Sequence, residues 1–226
     1  MLRKYNIIIF ALLCCMLFGC TNHNNDNTMN LLTEPQKFSY KVSTDFYSVA
    51  TEENHIEIFY PQFYHATKSC MELNLLVKNA ISEYLNLYGY DVIGLTLTAN
   101  YLISYADDCV ISIVFHGESD VKDTAHPIQF AFAVNLLVTE PKKLEKSTLV
   151  NVNDKFAEDV LVHAKLHSSG AIKTYFEECT ITEIKQILQH DDASFYLTEQ
   201  GIGIIFPLPH PIGDYVELQI TENSFS

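Results

Sequence analysis

Residues 95–116 read LTLTANYLISYADDCVISIVFH, and the fold class turns on this stretch. Leu95, Leu97 and Ala99 alternate with Thr96, Thr98 and Asn100, the period of two that marks a half-buried strand. The alternation runs on through Tyr101 and Ile103. Cys109 to His116 is rich in β-branched residues, which suit a pleated surface. Asp107-Asp108 between the two runs is a turn signal. The stretch therefore predicts a β-hairpin.

Outward from the hairpin the pattern changes in both directions. Upstream, Met71, Leu75, Val77, Ile81, Tyr84 and Leu85 recur at steps of mostly three and four, which predicts an amphipathic helix from about Thr67 to Tyr88. Before it, Phe38–Glu53 and Ile56–Phe63 read as strands. Downstream, GESDVKDTAHP over 117–127 reads as a polar loop, and Ile128–Val138 as the next strand. Asn153-Asp154 can cap a helix running through Phe156, Val160, Leu161 and Ala164. A second helical piece covers Thr182–His190. Ser194–Leu197, a turn at 199–201, Ile202–Phe206 and Tyr215–Ile220 return to β structure, broken by Pro207, Pro209 and Pro211. No internal repeat is present. The expected architecture is one α+β domain over residues 37–226, a mainly antiparallel sheet with helices packed on one face.

The N-terminus is read separately. Arg3 and Lys4 precede an uninterrupted apolar run, Ile7–Phe18, that is well short of the roughly 20 residues a spanning helix needs. Leu17-Phe18-Gly19-Cys20 then resembles the lipobox of bacterial lipoproteins. That resemblance implies a leader over residues 1–19, cleaved before Cys20, and acyl chains on the Cys20 thiol and the new amine. Two or three chains give lasting anchorage where one is marginal. The Asn-rich segment that follows lacks hydrophobic periodicity, so residues 20–36 read as a tether. The expected location is the cell envelope, outside the cytosol, and the outer membrane if the host is Gram-negative.

Without the leader the chain holds 12 basic and 28 acidic side chains, a formal charge of −16. Such a balance disfavours nucleic acid and anionic lipid headgroups as partners and suits a cationic one. Cys70, Cys109 and Cys179 remain in the exported part, where a disulfide is permitted. A helix over 68–88 travels about 30 Å and the strand after it returns a similar distance. Cys70 and Cys109 are therefore expected to meet in a disulfide.

Candidate chemistry is sparse. His163 and His167 stand at i and i+4, but Ala164 occupies the place where a zinc protease carries its glutamate base. They read as surface histidines. His190-Asp191-Asp192 falls at a predicted helix end, where both residue types are favoured for structural reasons. No nucleophile elbow or glycine-rich phosphate loop appears. Neither a catalytic residue, nor a metal site, nor a cofactor is expected. His126-Pro127 opens a predicted strand with the ring presented on extended backbone, and is the candidate ligand-binding loop.

A family resemblance gathers these elements. Tyr60-Pro61 ends the second strand, Leu73-Asn74 opens the helix, and Ala125-His126-Pro127 leads to Asn135-Leu136-Leu137 and Thr139. Phe195–Phe206 and Gly213-Asp214-Tyr215-Val216-Glu217-Leu218 close the pattern. Together they resemble the extracytoplasmic domain shared by RsiV-type lysozyme-sensing anti-sigma factors and the N-terminal part of PdaC-type peptidoglycan deacetylases, over about Phe38–Thr221. Asp123-Thr124 and Glu140 stand where that family usually has glycine. The resemblance implies an α+β fold and a non-catalytic binding role at the envelope, with a lysozyme-like cationic protein or cell-wall glycan as ligand. The alternative is an envelope hydrolase acting on peptidoglycan.

Overall fold

The computed structural model describes residues 38–88 and 92–221. The expected leader, Cys20 and the expected tether lie outside these residues. Strands β1 (Lys41–Ala50), β2 (His55–Tyr64), β3 (Leu95–Ala106), β4 (Val110–Val121), β5 (Ile128–Leu137) and the short β6 (Lys142–Lys143) form one sheet in sequence order. Every neighbouring pair is antiparallel except β2–β3, which is parallel. A parallel pair needs a long crossover, and helix α1 (Met71–Tyr88) supplies it. Four helices follow: α2 (Lys146–Leu149), α3 (Asp154–His167), α4 (Gly170–Glu178) and α5 (Ile181–Gln189). Then β7 (Ser194–Thr198), β8 (Gly201–Pro207) and β9 (Tyr215–Thr221) make a second, three-stranded antiparallel sheet.

Strand alternation builds the layers. On β4 and β5, Ile111, Ile113, Phe115, Phe130, Phe132 and Val134 share a core with Leu73, Val77 and Ile81 of α1. Phe132 is stacked between Tyr84, with centroids 4.0 Å apart, and Phe115 at 4.7 Å. The alternate residues of the same strands, Val114, Ala131 and Ala133, pack instead on Tyr196, Ile205 and Tyr215 of the small sheet. Phe195, Ile202, Ile204, Phe206, Leu218 and Ile220 turn the other way, onto Phe156, Val160, Phe176, Ile184 and Leu188 of the helices. The order is therefore helix, sheet, sheet, helices. The fold is α+β as expected, and the strands divide into two sheets, the large one with α1 on its outer face and the small one with the later helices on its own.

Local signals behave as their chemistry requires. Asn153 caps α3 by accepting from Phe156 N–H at 2.9 Å. Thr180 and Glu183 form a capping box at the start of α5, satisfying two helix-end donors reciprocally. The β2–β3 ladder covers only 55–58 against 96–99, after which no pairing joins the two strands. Farther along β2, Asn74 of α1 meets the free edge: its Oδ1 accepts Phe63 N–H at 2.8 Å and its Nδ2 donates to Phe63 C=O at 3.0 Å. One carboxamide thus satisfies both backbone groups that β3 leaves behind.

Three expectations are corrected. The polar run after His116 is not wholly loop, because β4 continues to Val121 and pairs with β3 and β5 through Ser119. Gly117 allows this: a Cβ there would meet the Phe130 ring and Thr98 C=O at 2.4 Å. Helix α4 was not expected; Phe176 buries it against the helical core. Finally, Cys70, Cys109 and Cys179 are half-buried thiols and no disulfide joins them. The layout does bring the two segments to one end of the domain, since Ser39 N–H and Oγ donate to Asp108 at 2.8 and 2.7 Å. Tyr40 neighbours both Cys70 and Asp108 there, however, and Cys70 Sγ turns to Lys68 C=O at 3.8 Å.

Candidate functional site

A group of interacting polar side chains lies where the two sheets meet. Even positions of β4 face the small sheet, so His116 and Glu118 follow Ser112 and Val114 on that side. Odd positions of β9 face back, which places Tyr215 and Glu217 opposite. His116 Nε2 lies 2.7 Å from Glu217 Oε1, and Tyr196 Oη donates to Glu217 Oε2 at 2.6 Å. Both oxygens of one carboxylate are thereby engaged, one by each sheet. His116 and Glu217 keep 35% of their side-chain surface exposed, so the pair sits at the rim. Tyr196 is buried.

One glycine shapes the approach. Tyr196 lies flat over Gly203, where a Cβ would stand 2.1 Å from the ring. Burial first, and then the Glu217 carboxylate, push the Tyr196 phenol well above its ordinary value. Tyr215 is also pushed up, by burial and by Glu217. Both phenols therefore stay protonated donors at any physiological pH.

The rim continues along β4 and β5. Glu118 accepts from the Gln129 carboxamide. Gln129 N–H donates to Asp214 Oδ2 at 2.8 Å, and Asp214 Oδ1 lies 2.5 Å from His210 Nδ1. Asp214 adopts φ +62°, directly after Gly213 at φ +130°, which aims its carboxylate back at both partners. His210 faces His126, with ring centroids 6.4 Å apart. Two His-Pro dipeptides distant in sequence thus meet at one edge of the seam.

His126 and Pro127 are exposed, and His126 adjoins the rim through His210. Sequence reasoning missed His116, Tyr196, Glu217, His210 and Asp214: His116–Glu217 and Gln129–Asp214 join across 101 and 85 positions, and the nearer pairs Tyr196–Glu217 and His210–Asp214 form no recognisable motif. His163 and His167 are brought together, with centroids 4.3 Å apart. Burial and then the His167 charge hold the His163 imidazole below its ordinary value. Among the described residues no group of three or more His, Cys, Asp and Glu is placed to hold a metal ion. His190 is a helix end, its N–H donating to Gln186 and Ile187 C=O. Lys146 Nζ, also unforeseen, donates to Leu188 and His190 C=O at 3.2 and 2.5 Å and closes the same terminus.

Chemically, the seam offers imidazole, carboxylate, carboxamide and phenol groups to a polar ligand at a half-open edge. Its members already bond one another: Glu217 serves two donors, and Asp214 serves a backbone N–H and an imidazole. That arrangement holds its donors and acceptors in fixed positions.

No family model matches the sequence, and no curated protein does. Among solved structures, the chain is similar to a DUF3298 family protein from Pseudomonas aeruginosa PAO1, at 11% identity and a TM-score of 0.53, covering 84% of this chain and 93% of that one. It is similar also to a DUF3298 family member from Bacteroides fragilis, at 12% identity and a TM-score of 0.52, covering 83% and 93%. The fold is thus one that these two DUF3298 proteins share.

Proposed function

We propose that this chain is a lipid-anchored envelope lipoprotein whose folded domain is a non-catalytic binding module for a lysozyme-like cationic protein or for peptidoglycan. The observation that carries the binding reading is the seam, where Glu118, Glu217 and Asp214 stand with His116, His126 and His210 at a half-open edge. A formal charge of −16 after the leader favours the cationic protein, since complementary potentials speed encounter and suppress wrong partners. Anchorage rests on the lipobox at Leu17–Cys20 and would hold the seam outside the cytosol.

Hydrolysis of peptidoglycan is the weaker reading. The catalytic glutamate that a paired-histidine zinc site requires has no counterpart after His163, where Ala164 stands. At the seam, the carboxylates are hydrogen-bonded to fixed partners rather than poised across an open substrate gap.

Calorimetric titration with lysozyme and with soluble peptidoglycan fragments, at low and at high salt, tests the binding reading. Binding of lysozyme that weakens steeply with salt and falls in Glu118→Gln and Glu217→Gln supports it. No heat from either ligand at low ionic strength would remove it. Palmitate labelling tests the anchor: the natural chain takes the label and Cys20→Ser does not.

A further inference from the structure

From the end of the domain where the chain enters, we infer a second interaction surface, one that lies against the lipid bilayer itself. The inference rests on the anchored reading above. Phe38, the first described residue, stacks on Tyr40 at 5.5 Å and meets Phe63 edge-on at 6.3 Å. Tyr40 lies 4.9 Å from His65, and Lys68 Nζ sits 5.8 Å over its ring. Asn74 then ties the first turns of α1 to Phe63. The entry point, the end of β2 and the start of α1 are therefore one surface.

That surface carries exposed apolar groups. Met71 is 73% exposed and Leu75, one helical turn on, 54%; Tyr64, at the end of β2, is 54% exposed. Lys41 pairs with Tyr64, Lys68 sits over Tyr40 and Lys78 follows Leu75 on α1, and Glu72 is the one acidic residue in the first turn of α1. Asp45 and Asp108 are nearby, but Tyr60 and Ser39 hold them. Elsewhere acids outnumber bases more than twofold across the mature chain. This end is locally balanced, so an anionic bilayer repels it less than the overall charge would suggest. Exposed aromatic, thioether and aliphatic groups together with lysines have the composition of an interfacial contact, where rings and lysine stems sit at headgroup level.

Chain length identifies the occupant. Seventeen residues separate Cys20 from Phe38, and that many residues reach at most about 60 Å. Acyl chains on Cys20 thus keep this end of the domain within that reach of the headgroups. At that range even a weak patch is occupied, because the second contact is intramolecular. The consequence is orientational: α1 points its first turn at the membrane and its last turn, with Leu87 82% exposed, away from it.

The chain contains no tryptophan, which makes the test direct. Single tryptophans replace Tyr64, Met71 or, as a control, Leu87 in the full-length acylated protein. Each variant is reconstituted into phosphatidylethanolamine–phosphatidylglycerol vesicles with bromine-labelled acyl chains. Emission at positions 64 and 71 should fall about twofold relative to unlabelled vesicles, with little change at position 87. Adding Leu75→Glu should restore emission at position 71. Equal, weak quenching at all three sites in protein that floats with the vesicles overturns the inference and leaves the anchor intact. Failure to float at all removes the anchor and this surface together.

Discussion

Ser112 and Asn135 stand opposite each other on β4 and β5 and together attach the small sheet to the large one. Ser112 Oγ donates to Asn135 Oδ1. Ser112 Oγ also accepts Leu197 N–H at 2.8 Å, and Asn135 Nδ2 donates to Phe195 C=O at 2.7 Å. Both side chains are buried, so two side chains satisfy two β7 backbone groups where the sheets cross. Replacing Asn135 by Leu strands Phe195 C=O and the Ser112 hydroxyl together. The loss should be about 1–3 kcal/mol per orphaned group, read as a lower urea midpoint. Adding Ser112→Ala to Asn135→Leu should cost less than the two single changes summed, because they share one network.

Asn74 performs a similar service within the large sheet. Asn74→Ala opens both Phe63 backbone groups at the edge where β2 parts from β3. Phe63 is fully buried, so water reaches these groups poorly. A stability loss of about 2 kcal/mol is expected, with hydrogen exchange at Phe63 N–H accelerated beyond that of the β1–β2 ladder. Asn74→Asp, which keeps an acceptor but no donor, should recover part of the protection.

Gly203 separates a packing role from a polar one. Gly203→Ala places a methyl group against the Tyr196 ring and must lift it off β8, breaking its bond to Glu217. Overpacking of this kind costs about 1–3 kcal/mol. Tyr196→Phe keeps the ring and loses only the hydroxyl, so it should cost less than Gly203→Ala. If the two changes proved equally costly, the ring contact with β8 would carry no weight.

What was legible in the sequence followed local chemistry. The 95–116 hairpin, the cap at Asn153 and the turn before Gly201 all declare themselves within a few residues. The division into two sheets does not. Phe195 and Tyr196 read as one apolar run, yet they face opposite cores, helices on one side and β4–β5 on the other. Glu118 and Asp120 read as loop because charge usually marks a turn; in β4 they alternate with Gly117 and Ser119 at the exposed end of a paired strand. The seam was invisible for a stronger reason. His116 and Glu217 are 101 residues apart, and their pairing exists only once the sheets are stacked.

The proposed capture of a ligand by the seam has its own signature. Glu118 and Glu217 flank His116 at a half-open rim, so a cationic partner would feel both carboxylates. Glu118→Gln should weaken binding of a basic protein mainly through a slower association rate and a shallower salt dependence. Glu217→Gln also loosens Tyr196, and should raise the dissociation rate as well. Stopped-flow association at two ionic strengths distinguishes these effects.

The pH response of stability should be set on the helical side, at His163. Burial, and secondarily the neighbouring His167 charge, lower its folded value below the ordinary 6.5. Between that lowered value and 6.5 the unfolded chain binds more protons than the folded one, so stability rises with pH through this window and is lost as pH falls. Below the folded value the whole contribution is gone. His163→Gln removes the titrating group while keeping a polar side chain of similar reach. Thermal midpoints of the natural chain should therefore drop from pH 7 to about pH 5 more steeply than those of His163→Gln. His167→Gln should fall in between, since it relieves the charge but leaves the burial. Parallel curves for all three proteins would assign the acid sensitivity to the carboxylates instead.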